Sequence, residues 1–167
     1  GRTTSFDLLG EAVLSESEAA SYEARYIELL RDLARHPHAL RRTEGDLPVL
    51  QVSLKLSSLT HHFTPVDFEG SVQRVLPRLQ RIAEVAREGG IGLTVDAEQY
   101  EIRDLVWEAF TRAFGPGTAF ANWSDAGMVV QSYLRDAVEH LREVIAFAHV
   151  RGTPFQVRLV KGAYWDY

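Results

Sequence analysis

An α/β fold of the (β/α)8 TIM-type barrel, truncated to about its first five β/α units, is predicted by three observations. Five apolar, strand-like runs (SFDLLGEA, VLQVSLKLSSL, IGLTVDAEQ, GMVVQSY and FQVRLVKGAYW) alternate with helix-like stretches along the chain. Such alternation indicates parallel strands joined by crossover helices. In each run the apolar residues fall on one parity and a hydrophilic residue near the C-terminal end falls on the other: Asp7, Lys55, Asp96, Gln131 and Arg158. Strand side chains alternate between faces. A core has no need of two acids, two bases and an amide at one level of neighbouring strands, whereas an active site at the mouth of a barrel does. Finally, the first strand-to-helix turn, DLLGEAVLSES, has one glycine, not the G-x-G-x-x-G of an open dinucleotide-binding sheet. A complete barrel has eight strands and about 250 residues. Five strands therefore predict a truncated one.

Taken in order, the first strand is followed by Ser15 and Glu18, spaced as a capping box. The helix after it places Ala20, Tyr26, Leu29, Leu30 and Leu33 on one stripe and stops before Pro37. A loop with Gly45 and Pro48 leads to the second strand. The next helix has Val72, Val75, Leu76, Leu79, Ile82 and Ala86 on its apolar face and ends at Gly89-Gly90. Pro77 inside it predicts a kink or a fresh helix start. Leu105, Val106, Ala109, Phe110 and Phe114 form the third helical stripe, which ends at Gly115-Pro116-Gly117. The fourth helix, AVEHLREVIAFAHVRG, ends at Gly152. No linker or low-complexity segment interrupts residues 1–167, so they form one domain.

Composition bounds the function. The chain has 167 residues, 46% hydrophobic and 25% charged, with a net charge of −5, which argues against nucleic acid as a partner of this segment. No continuous apolar stretch reaches membrane-spanning length. Cysteine is absent, which removes disulfides and thiolate chemistry and fits a reducing compartment. The start, GRTTSFDLLG, has no signal pattern and no initiator Met, as expected at the edge of a processed or excised piece. His36, His38, His61 and His62 lack a third ligand at suitable spacing and read as surface residues. Arg41-Arg42 and the acids of the first helix read as solvated, and Trp107 and Trp123 as packing residues.

The strand ends carry the chemistry. Ser53, Lys55 and Ser57 share one face of the second strand, so Lys55 points into the barrel mouth and needs a carboxylate or a ligand anion. Asp96 supplies a carboxylate on the adjacent strand, with Thr94 and Gly92 beneath it. A structural Lys–Asp pair that fixes strand register accounts for the same two residues without function. On the fifth strand, Gln156, Arg158 and Val160 alternate with Val157, Leu159 and Lys161, and the run continues into Gly162-Ala163-Tyr164-Trp165. A glycine after a basic strand end allows close approach of a flat or phosphorylated ligand. Arg158 offers several fixed donors, and the two aromatics offer walls. Alone, this run equally describes a strand with a snorkelling lysine and two packing aromatics.

In this order, SFDLLGEA, SLKLSSL, IGLTVDAE, GMVVQSY and VRLVKGAYWD resemble the FAD-dependent proline dehydrogenase domain, especially that of the bacterial bifunctional proline-utilisation proteins. The resemblance runs from about Ser5 to Asp166. It implies a distorted barrel with FAD at the C-terminal strand ends. It also implies oxidation of L-proline to Δ1-pyrroline-5-carboxylate, with electrons passed to a membrane quinone. Lys55, Asp96 and Tyr164 match positions lining the proline pocket. Arg158 matches the arginine beside flavin N5. Asp96, Ala97, Val129 and Gln131 match flavin contacts, as do Val160, Lys161, Gly162, Ala163 and Trp165. Glu11 resembles the first-strand acid that pairs with a substrate-binding arginine of the last barrel helix. By the same resemblance the parent chain has a downstream aldehyde dehydrogenase domain and is cytoplasmic, with peripheral contact to the membrane. Two other functions fit the residues. One is a Schiff-base lyase using Lys55 or Lys161. The other is a non-catalytic half-barrel that assembles through open strand edges.

Overall fold

The computed structural model describes residues 2–8 and 13–161. Its strands are β1 (Thr4–Asp7), β2 (Leu50–Leu54), β3 (Gly92–Val95), β4 (Ala126–Gln131) and β5 (Gln156–Val160). They alternate with helices α1 (Glu16–Ala34), α2 (Phe68–Glu88), α3 (Arg103–Phe114) and α4 (Ala137–Arg151). The strands pair in chain order, each parallel to the next. The sheet is curled, and one contact demonstrates it. Neighbouring strands lie about 4.8 Å apart, so β1 and β5 would stand about 19 Å apart in a flat sheet. Yet Arg158 Nη2 on β5 donates to Ser5 Oγ on β1 at 3.3 Å. Five strands curved this far make half of a barrel.

The two faces of the sheet differ as the alternation predicts. Val52, Leu54, Leu93, Val95, Met128 and Val130 are buried on the convex face beneath the helices, in a single apolar cluster with Leu30, Leu79, Ile82 and Phe110. The concave face carries small and polar residues. Register places Asp7, Ser53, Thr94, Gly127 and Gln156 in one row across all five strands. Arg158 follows two residues later on β5, Lys55 and Asp96 lie one residue past the ends of β2 and β3, and Gln131 stands opposite Val160. The five hydrophilic residues therefore do not stand at one level, contrary to the sequence expectation. Barrel strands tilt and stagger, so strand ends at one rim do not share a register row.

The helices form as expected, with informative exceptions. Ser15 Oγ accepts the Glu18 amide at 3.2 Å, and the Glu18 carboxylate accepts the Leu14 amide, which completes the cap. Ala19 rather than Ala20 joins Tyr26, Leu30 and Leu33 in the buried stripe of α1. Ala19 lies seven residues, two full turns, before Tyr26. A second helix does not start at Pro77, because α2 continues through it. Nor is the acidic face of α1 merely solvated. Glu23 accepts from Arg78 and Arg81 of α2, and Arg78 also pairs with Glu16. Arg42, expected in solvent, forms a bidentate pair with Asp125 at 2.7 and 2.8 Å, joining the loop before β2 to the residue before β4. Trp107 and Trp123 do pack, in an aromatic cluster with Phe110, Phe114, Phe120, Phe147 and Phe155. No helix of the described residues is long and apolar enough to cross a membrane.

Arg151, the last residue of α4, is buried without a carboxylate partner among the described residues. It donates to the carbonyls of Phe114, Phe120 and Trp123 at 2.7, 2.9 and 2.7 Å, and to those of Thr153 and Pro154. Burial pushes its guanidinium pKa down. One side chain thus satisfies carbonyls of the α3–β4 connection and of the turn into β5. Arg151→Met leaves those carbonyls without donors and is expected to destabilise the chain by about 3 kcal/mol or more. Thermal or urea unfolding of the variant checks this; a loss below about 1 kcal/mol contradicts it.

Candidate active site

The C-terminal ends of β2 to β5 bring chemistry-bearing side chains together on the concave face. Arg158 is the centre. Its Nη1 donates to Asp96 Oδ1 at 3.3 Å and to Ser53 Oγ at 3.1 Å, and its Nη2 reaches Ser5. Ser5 and Ser53 are linked to each other at 3.2 Å. The arginine side chain retains 39% exposure, while Asp96 is 16% exposed. Arg158 is thus anchored along its inner edge with one side open. Val129, directly opposite it on β4, is buried, and Val160 on the same face is half-buried.

Strand β2 ends at Leu54, earlier than the sequence suggests. Lys55 is the N-cap of a 3-10 turn at Leu56–Ser58, so Ser57 belongs to the turn and not to the strand face. Among the described residues no carboxylate forms an ion pair with Lys55; the partner of Asp96 is Arg158. The expected Lys55–Asp96 pair is replaced by this one, because the longer arginine reaches across the curved face. Lys55 still acts on Asp96 through space, as do Asp7 and Glu98.

Two carboxyls at this rim are perturbed. Burial raises Asp96 to about 6; Arg158 and Lys55 oppose that rise, while Asp7 and Glu98 add to it. Burial also raises Glu98, against hydrogen bonds from Ser57 and Leu56. Glu98 was not singled out from the sequence. Its position three residues after Val95, outside the strand alternation, gave no period from which to read it. Perturbed carboxyls gathered at one concave rim are a mark of functional sites.

Of the other predicted residues, Ala97 follows Asp96 and is half-buried. Gln131 Nε2 donates to the Glu98 carbonyl at 3.1 Å and to Tyr133 Oη at 3.2 Å. The Val160 carbonyl accepts from the amide and hydroxyl of Ser132, which joins the ends of β4 and β5. Lys161 is exposed, one residue beyond β5. Glu11, Gly162, Ala163, Tyr164 and Trp165 lie outside the described residues. A separate groove of about 580 Å³ is lined by α1 residues including Ile27, Glu28 and Arg31, away from these strand ends.

Comparison with known proteins agrees with the fold. The family model described as Proline dehydrogenase matches residues 1–167. The bifunctional protein PutA of Rhizobium meliloti is 31% identical over 166 residues, covering 99% of this chain and 13% of that protein. PutA of Escherichia coli (strain K12) is 28% identical over 163 residues, covering 97% of this chain and 12% of that protein. The crystal structure of proline utilization A from Bdellovibrio bacteriovorus, inactivated by N-propargylglycine, superposes with a TM-score of 0.87 at 40% identity. It covers 99% of this chain and 18% of that one. The chain thus spans about an eighth of the PutA relatives' length. It belongs to the proline dehydrogenase family, with the fold of a PutA-like proline dehydrogenase domain.

Proposed function

We propose that this chain is the first five β/α units of a flavin-dependent barrel that oxidises L-proline to Δ1-pyrroline-5-carboxylate. FAD is the cofactor and a membrane quinone the electron acceptor. The convergence of Arg158, Asp96 and the end of β2 at one concave rim is the observation that carries this proposal. The convex residues of β5 support the truncation. Val157 and Leu159 are 37% and 58% exposed, whereas Met128 and Val130 on β4 are covered. A following β/α unit would cover them, as α4 covers β4. The names of the PutA relatives support a longer, bifunctional parent, for which we propose a downstream aldehyde dehydrogenase domain and peripheral attachment to the membrane from the cytoplasm.

The residues present fit a flavin. A guanidinium, an amide and the half-buried Val160 lie on one side of the curved sheet, which suits a flat ring with a polar edge. Bound there, the flavin would supply the redox chemistry, taking a hydride from the proline C5 carbon. Arg158 would set positive charge beside the ring as it becomes electron-rich. Lys55, with no close carboxylate among the described residues, would neutralise the proline carboxylate. Asp96 would hold the Arg158 guanidinium in place and line the proline pocket with Tyr164. Ala97, Gln131, Val129 and the segment Val160 to Ala163 with Trp165 would enclose the cofactor. Glu11 would pair with an arginine from a later helix.

Three results check this proposal. In the intact protein, anaerobic L-proline should bleach the flavin absorbance, and Arg158→Met should slow that reduction roughly 10- to 100-fold. Unchanged reduction would remove the role given to Arg158. Lys55→Ala should raise the proline KM about tenfold or more, with flavin content unchanged; an unaltered KM would contradict its assignment. The third concerns pH. Because Asp96 is raised to about 6, the folded chain holds a proton that the unfolded chain releases nearer its ordinary value. Stability should therefore fall as pH rises between about 4 and 6. Asp96→Asn should flatten that fall and stabilise the chain above it, by on the order of 1 kcal/mol. Thermal unfolding across pH reads the difference, and parallel curves would contradict it.

A further inference from the structure

One residue ties three strand ends together at this rim. The 3-10 turn Leu56–Ser58 starts at Lys55, which has no side-chain acceptor to cap it. A helical start leaves amides without partners. Here the acceptor comes from the next strand-to-helix connection. Glu98 Oε1 accepts the Ser57 amide at 3.1 Å, and Oε2 accepts the Ser57 hydroxyl. The same residue's main-chain carbonyl accepts Gln131 Nε2 at 3.1 Å. The connection after β3 therefore grips the end of β2 with a side chain and the end of β4 with its backbone. Lys55 lies immediately before the capped amides, and Asp96 lies two residues before Glu98. The hydrogen bonds of Arg158 go to Ser53, Asp96 and Ser5, not to the carboxylate of Glu98 or the hydroxyl of Ser57.

We infer that Glu98 is a positioning residue: by capping the turn after β2 it fixes where Lys55 stands relative to Asp96 and Gln131. This inference rests on the proposed function of the site, in which Lys55 receives the substrate carboxylate. Glu98 acts through the backbone of β2 and not by contact with the substrate. Removing its carboxylate frees the Ser57 amide and loosens the backbone that carries Lys55. Substrate binding then suffers more than the chemical step. A substrate-binding loss of this kind raises KM while kcat holds.

The test uses the intact protein with Glu98→Ala, Glu98→Gln and Ser57→Ala. Glu98→Ala should raise the proline KM about tenfold with kcat within about threefold, while flavin content stays at the wild-type level. Glu98→Gln, which keeps an acceptor but loses the charge, and Ser57→Ala, which keeps the amide, should each give a smaller rise of the same sign. A KM within about twofold of wild type in folded Glu98 variants would overturn the inference. So would a parallel loss of kcat and flavin, which marks general structural damage. Should Glu98→Ala fail to fold, Glu98→Gln and Ser57→Ala decide by the same criteria. Hydrogen exchange at the Ser57 amide supplies a readout that needs neither substrate nor turnover. Exchange should accelerate about tenfold or more in Glu98→Ala and less in Glu98→Gln, and unchanged exchange in both would show that Glu98 does not hold the turn after β2. A wild-type protein that leaves proline unoxidised would sink the proposed function, and the exchange measurement would still decide whether Glu98 anchors this strand end.

Discussion

Curvature of the sheet is the constraint on which everything else at this site depends, and the Arg158 side chain is where it becomes visible. A guanidinium on the fifth strand touches a hydroxyl on the second and another on the first. That is possible only because the convex face is spread by bulky residues and backed by helices, while the concave face is lined by Ser53, Thr94, Gly92 and Gly127. At Gly127 an added Cβ would lie 3.1 Å from Gln156 and 3.2 Å from Thr94 Oγ1, so the concave side is already close-packed there. Small residues inside and large ones outside bring the strand ends towards a common axis. Chemistry can then converge from strands that are far apart in sequence.

Stability and function are divided between the two faces. The convex layer holds the apolar cluster, and burial of such surface is the main driving force for folding. Ion pairs such as Arg78–Glu23 and Arg42–Asp125 join elements at the periphery of that layer. On the concave side, burial of polar and charged groups is a cost that only partners offset. Ser5, Ser53 and Asp96 offset it for Arg158, and Ser57 does so for Glu98. Asp96 keeps a raised pKa even beside a cation, so burial outweighs the ion pair at that position.

Much of this was legible in the sequence because strands have a period of two. Alternation placed Asp7, Gln131 and Arg158 on one face, and the strand register agrees; Lys55 and Asp96 lie one residue past the ends of β2 and β3, beyond that register. The rows were not legible, since stagger depends on strand tilt, which no local pattern encodes. For the same reason the partner of Asp96 came out as Arg158 and not Lys55: adjacent strands suggested the lysine, but curvature brought the arginine within reach. Residues that act from connections escaped altogether. Glu98 sits past the end of its strand, and Arg151 looks like an ordinary basic residue at a helix C-terminus until its carbonyl acceptors are seen. Conversely, helix-level signals were reliable where the chemistry was local, as with Ser15 and Glu18, and slipped by one residue where a stripe had to choose between Ala19 and Ala20.

A crystal structure of the intact protein with flavin and a non-oxidisable cyclic carboxylate would decide whether these strand ends hold cofactor and substrate. The ring should lie on the concave face, with the open side of Arg158 turned to it and the Lys55 ammonium on the carboxylate. A flavin bound elsewhere, with Arg158 and Lys55 both untouched by either ligand, would contradict it.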